Sequence, residues 1–250
     1  MFAFSYDPKR VNHALFGSWY EEDIYDRLCG RLPRLAWLLK GCIPDQMRAR
    51  RLVFVHVPRV AGTSITRALY GAHCVHHHSI RFYRAVDPQL CAAGRSFALL
   101  RDPFDRFASA FSFVRTGGTP TCRLSDVFVE KTRNVRSVQD YLSFLEDRPV
   151  LEMDFVMRPQ SWFVCDLKTG TPLVHDLFLY GTDDAAFARY LAGYGVYRLP
   201  RLNRSQRLPL RLDDAQRDKI RKLYAADFAL IDRLTRDRAD NPPSAAIAAE

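Results

Sequence analysis

The chain has 250 residues, 48% of them hydrophobic and 26% charged, which supplies one sizeable core and excludes a disordered or fibrous protein. Its formal net charge of +9 favours anionic partners. The arginines are scattered and form no basic stripe interleaved with aromatics, so no nucleic-acid partner is expected beyond a nucleotide ligand.

Residues 1–50 read as a helical lead-in. Trp19, Tyr20, Ile24 and Leu28 recur at roughly helical spacing, and Pro33 breaks the run. The best apolar stretch near the N-terminus, Leu35 to Ile43, is interrupted by Lys40 and Gly41. It falls far short of the roughly 20 residues that span a bilayer, so no transmembrane segment or secretory signal is expected. Leu52 to Val57 is an uncharged run between Arg51 and Pro58, the pattern of a buried parallel strand. A helix is predicted over Gly62 to Tyr70, with Ile65, Ala68 and Leu69 on one face. His76, His77 and His78 fall at the end of a predicted second strand. The strand–loop–helix pattern then repeats: Ser96 to Leu100 as strand, Arg101 to Pro103 as turn, Phe104 to Val114 as helix. Pro103 stands where a first-turn proline is tolerated.

Gly117, Gly118 and Pro120 mark a loop, and Val138 to Leu145 a helix. A third strand is predicted over Asp176 to Tyr180, with a helix from Asp183 to Leu191. Leu212 to Leu234 reads as one long amphipathic helix whose stripe is Ile220, Leu223, Tyr224, Phe228, Ile231 and Leu234. Residues 51–236 form the main domain, and residues 237–250 read as a disordered tail. Strands alternating with helices predict an α/β fold with a central parallel β-sheet flanked by helices. Ligands of such sheets bind at the carboxyl ends of the strands. The cysteines, Cys29, Cys42, Cys74, Cys91, Cys122 and Cys165, contain no CxxC pair and no zinc spacing. They read as small buried hydrophobes of a reducing compartment, which implies a cytoplasmic protein.

Two strand-end loops carry the chemistry. The first, Phe54 to Ile65, reads FVHVPRVAGTSI. Gly62 permits close backbone approach, the helix N-terminus adds a positive field, Thr63 and Ser64 offer hydroxyls, and Arg59 supplies a full charge. This suits a phosphate or sulfate, and equally a plain turn capped by Thr63 or Ser64. It is not a Walker A loop. The second, Phe97 to Phe113, reads FALLRDPFDRFASAFSF. Arg101 at its strand end can fork onto a terminal phosphate, and Ser109 can add a hydroxyl from the helix. Arg101 is also compatible with a surface ion pair, and Asp102 and Asp105 read as helix caps. His56, inside the predicted strand, reads as a satisfied core histidine.

In PRVAGTS and RDPFDRFASAF, the chain resembles the PAPS-dependent sulfotransferases, closest to the Golgi-type carbohydrate sulfotransferases and their bacterial relatives. Softer likenesses are RPQSWFV at residues 158–164, LPRLNRS at 199–205 and LYAADFALI at 223–231, so the resemblance spans residues 52–232. It implies a P-loop-like three-layer fold and transfer of a sulfuryl group from PAPS to a small-molecule or glycan hydroxyl or amine, without a metal. It further implies that Arg59, Ala61, Gly62, Thr63 and Ser64 hold the 5'-phosphosulfate and Arg101 and Ser109 the 3'-phosphate. Asn203 and Arg204 would approach the nucleotide. Several family members carry a base histidine in HxH or HxS patterns between the loops. His76 and His78 match the first and His77 the second. The family usually has Lys where this chain has Arg59, and the guanidinium is a poorer proton donor. A catalytically impaired nucleotide-binding relative and a P-loop-like small-molecule kinase are the rival readings.

Overall fold

The computed structural model describes residues 8–71, 76–119, 122–200, 202 and 210–240. The lead-in is helical: α1 (Pro8–Phe16), α2 (Glu21–Arg31), a 3₁₀ helix (Pro33–Cys42) and α3 (Asp45–Arg50). Glu21, Glu22 and Asp23 occupy the first turn of α2, where acids complement the helix dipole. Asp23 is fully buried and meets the fully buried Arg158 in a two-bond fork of 2.6 and 2.8 Å, while Ser18 Oγ donates to it at 2.7 Å. That pair welds the lead-in to the rest of the chain. Removing one partner would strand a buried charge, a loss of about 3–5 kcal/mol.

The sheet follows. Strand β1 (Leu52–Phe54) leads to α4 (Gly62–Tyr70), then α5 (Ile80–Val86) and α6 (Pro88–Ala93). Strand β2 (Arg95–Leu100) leads to α7 (Pro103–Thr116). A two-residue hairpin, β3 (Gly118–Thr119) with β4 (Cys122–Arg123), precedes α8 (Asp126–Lys131) and α9 (Val138–Leu145). After α10 (Ser161–Val164), strand β5 (Asp176–Leu179) completes the sheet, and α11 (Asp184–Ala192), α12 (Asp214–Leu223) and α13 (Ala225–Asp240) close the chain. The three strands of this sheet run parallel in the order β1-β2-β5, and the β3–β4 hairpin is antiparallel. The fold is therefore α/β, a parallel sheet flanked by helices. β2 pairs on both sides, which is why Ser96 to Leu100 is buried and reads as an uninterrupted run.

Three expectations change. The first strand ends at Phe54 rather than Val57, although the Val55 N–H still donates to Phe97 O. The Val57 N–H turns back onto Val55 O at 3.0 Å, a γ-turn centred on His56 that carries the chain out of the sheet. The long C-terminal helix is two helices broken at Tyr224. There the Tyr224 hydroxyl donates to Met157 O, and Asp227 accepts from the Gln160 and Ser161 N–H groups at 2.8 Å each. Helix α13 also runs to Asp240, into the segment read as tail; residues 241–250 lie outside the described residues. The predicted strand before His76 falls on residues 72–75, also outside them, and residues 76–79 are not strand.

Candidate active site

Both loops leave the carboxyl ends of adjacent strands, so the parallel sheet sets them side by side. Between them lies a cleft of about 720 Å³, lined by residues of the first loop, by Arg101, Ser109 and Phe113 of the second, and by His77, Cys122 and Tyr180. Its size suits a small organic ligand.

The first loop has unusual backbone. Arg59 and Ala61 are both left-handed, with φ of 69° and 52°, in residue types that rarely adopt that conformation. Such strain persists only where the surroundings hold it, and it collects at ligand sites. Ala61 is the N-cap of α4 and places no side chain over the first turn. Thr63 and Ser64 therefore do not cap the helix; both line the cleft, and Ser64 Oγ accepts from the Leu202 N–H at 3.3 Å. Gly62 has no room for a side chain, because an added Cβ would fall inside the His56 imidazole. The result is a helix N-terminus at the cleft, its positive end flanked by Thr63, Ser64 and the His56 ring, in a position suited to an anion.

Arg59 reaches across to the second loop. Its Nε and Nη2 both donate to Ser109 Oγ at 3.2 Å, and its guanidinium lies 4.6 Å over the Phe113 ring. Burial pulls its pKa down to about 10, so it remains cationic at neutral pH. Arg59 and Ser109, assigned by resemblance to opposite ends of the nucleotide, thus share one hydrogen-bonding centre.

Arg101 is only 7% exposed. Its Nη2 donates to Asp105 at 3.2 Å, and its ring-facing side lies 5.7 Å from Tyr180. Its Nε is buried and has no partner among the described residues. A buried guanidinium with a vacant donor is costly unless an acceptor arrives. Arg101 is held from behind by the fully buried Gln160, whose amide accepts from the Arg101 N–H at 2.9 Å and donates to its carbonyl at 2.8 Å. Asp102 caps α7 through the Asp105 N–H. Arg106, buried in α7, donates to Pro58 O at 3.2 Å and so ties the second loop's helix to the first loop.

The three histidines separate. His76 is exposed and faces Glu22 at 3.3 Å; that hydrogen bond raises its pKa, and lowers Glu22 against its burial to about 2. His78 is buried away from the cleft, stacked on Phe82 at 3.8 Å, and burial drives its pKa down to about 4. Neither His76 nor His78 lines the cleft. His77 does line it. Its Nδ1 is 3.0 Å from His56 O, and a carbonyl only accepts, so Nδ1 carries the proton and Nε2 is the free base. Burial lowers the pKa of His77, which keeps it neutral.

His56 is not the core histidine its strand position suggested. The γ-turn brings it into the cleft, with its ring 4.2 Å from His77 and stacked near Phe54. Tyr180, one residue past β5, also went unrecognised, though a strand-end position was a signal. Phe113 and Cys122 carried none. Asn203 and Arg204 lie outside the described residues. A family model described as "Sulfotransferase family" matches residues 47–232, more than half of the chain, whereas no curated protein and no solved structure matches it.

Proposed function

The chain belongs to the sulfotransferase family, and from that premise we propose that it transfers the sulfuryl group of PAPS to a hydroxyl or amine acceptor, with His77 as general base. The observation that carries this reading is the convergence of two cationic strand-end loops on one cleft that also holds a neutral, tautomer-fixed histidine. The vacant Arg101 Nε and the helix N-terminus of α4, whose N-cap side chain makes no hydrogen bond there, fit a ligand with two separated anionic groups.

Bound PAPS supplies an activated sulfur: the acceptor oxygen bonds to it as the bond to the bridging phosphate oxygen breaks, and the desulfated bisphosphate leaves. His77 Nε2 takes the acceptor proton. Arg101 and Ser109 hold the 3'-phosphate. The N–H groups opening α4, with Thr63 and Ser64, hold the 5' end, and Arg59 adds fixed positive charge against the negative charge that develops there. Preorganised charge and positioning do the work, as in phosphoryl transfer. Carbohydrates and lipid-linked glycans are the acceptor classes we infer.

The test is sulfur-labelled PAPS with a panel of glycan, phenol and amine acceptors, with ATP and magnesium as the kinase control. Label transfer to any acceptor supports the assignment; phosphoryl transfer from ATP with none from PAPS would overturn it. The Arg59 substitution favours a second reading, a slow enzyme that holds its donor well. Arg59→Lys should then raise single-turnover rate while leaving the affinity for 3'-phosphoadenosine-5'-phosphate within about tenfold.

A further inference from the structure

The 3₁₀ helix Pro33–Cys42 has a surface that sulfuryl transfer does not use. With three residues per turn, side chains three apart stack along one edge, so this helix has three edges. Ala36, Leu39 and Cys42 form the inward edge: Ala36 is buried and the other two are half-buried. Against it pack α2 and α5, and Arg48 pins the far end by donating to Lys40 O and Ile43 O. The remaining two edges face outward. Leu35 and Leu38, 50% and 60% exposed, make one; Arg34, Trp37 and Lys40, with Trp37 at 60%, make the other. Leu28 and Leu32, at the end of α2, extend the exposed apolar strip.

Along the sequence, the charge within this strip has one sign; the nearest exposed acid, Asp45, is paired with Arg48. From Arg27 to Pro44 there is no acidic residue, while Arg27, Arg31, Arg34 and Lys40 give four cations. The Leu35–Ile43 stretch is too short to cross a bilayer, and no described helix is long and apolar enough to do so. Exposed leucines beside a tryptophan and flanking cations are instead what an interfacial segment presents. The leucines enter the acyl boundary, the indole sits at headgroup depth, and the cations meet lipid phosphates.

We propose that the face formed by Leu28, Leu32, Leu35, Trp37 and Leu38, with Arg31, Arg34 and Lys40 around it, docks the protein peripherally on an anionic membrane surface. The unbroken run of positive charge selects this occupant over an uncharged bilayer, because each surface cation contributes about fivefold to binding of anionic lipid. The inference stands apart from the catalytic reading, since no residue of this face lines the cleft.

The test is co-sedimentation of the full chain with phosphatidylcholine vesicles, with and without phosphatidylserine. Wild type should bind the anionic vesicles and leave the neutral ones, with binding weakened by salt. The variant Leu35→Gln/Trp37→Gln/Leu38→Gln and the variant Arg34→Gln/Lys40→Gln should each lose at least tenfold in binding while keeping the wild-type thermal midpoint, because these side chains are exposed. Trp37 gives a second readout: the chain has three tryptophans and the other two, Trp19 and Trp162, are each 7% exposed. Iodide should quench Trp37 emission in solution and not on anionic vesicles. Folded wild type that ignores anionic vesicles would overturn the proposal. So would a folded apolar triple variant that binds as wild type does, or a self-association that the triple variant abolishes, since a second copy would then cover the face.

Discussion

His77→Asn is the perturbation that separates chemistry from binding. In the wild type, the Nδ1–H is committed to His56 O at 3.0 Å, and burial lowers the ring's pKa below its ordinary value near 6.5. At pH 7.5, fewer than about one ring in ten is protonated, so nearly every molecule holds the free Nε2 that proton removal needs. An asparagine can still donate to His56 O but cannot accept a proton at neutral pH. A positioned general base contributes about 10²–10⁴-fold, or about 3–5 kcal/mol of barrier. His77→Asn should lose that much in kcat, measured by sulfur-label transfer, while its affinity for 3'-phosphoadenosine-5'-phosphate stays within about threefold of wild type. The acid limb of the wild-type pH profile should lie below pH 6.5 and vanish in the variant. His76→Asn should turn over as wild type, because that side chain faces Glu22 and not the cleft. Turnover of His77→Asn within about threefold of wild type, with the acid limb intact, would refute the assignment.

Arg101→Ala should weaken binding of the bisphosphate by about 10- to 150-fold, the equivalent of about 1.5–3 kcal/mol for hydrogen bonds to a charged group; isothermal titration checks it, and an unchanged affinity counts against the 3'-phosphate assignment. Gly62→Ala should destabilise the fold by about 1–3 kcal/mol in urea, because its methyl would enter the space of the His56 ring. In a His56→Ala background the same change should cost far less; strictly additive losses would show that the two residues do not compete for that space. His78→Phe tests a buried titration. The His78 pKa is depressed to about 4, so the fold holds the neutral ring. Stability from that ring is complete above pH 6.5 and is lost as pH falls toward 4. The variant escapes this loss, so its advantage over wild type should widen by about 3 kcal/mol between pH 7 and pH 4. A gap that stays constant with pH would contradict it. The comparison must be a difference, because Asp26, whose pKa burial raises to about 6, acts in the opposite sense in both proteins.

The sheet and its loops were legible because their signals are local. Leu52 to Phe54 and Ser96 to Leu100 are uncharged runs buried on both faces, and Gly62 to Tyr70 was bounded correctly by its glycine and its periodic face. The helix Val138–Leu145 also has the bounds read from the sequence, and Ser137 and Asp140 form a capping box at its start. What failed was set by tertiary contacts. Nothing near His56 announces the γ-turn that lifts it into the cleft. At the break, Tyr224 and Asp227 bond Met157 and the backbone of Gln160 and Ser161, partners more than sixty residues away that no local pattern marks. Three adjacent histidines are indistinguishable by residue type; Glu22, His56 O and Phe82 give them three environments. The β3–β4 hairpin, two residues per strand, is too short for any periodicity to mark.

The central claim is a site for a nucleotide carrying phosphates at both its 3' and 5' positions. The most direct measurement is calorimetric titration of the folded protein with 3'-phosphoadenosine-5'-phosphate and, separately, with AMP. Arg101, with its vacant Nε, and Ser109 should recognise the additional 3'-phosphate, so the bisphosphate should bind at least about tenfold more tightly than AMP. Equal affinity for the two, or no heat from either, would contradict the account.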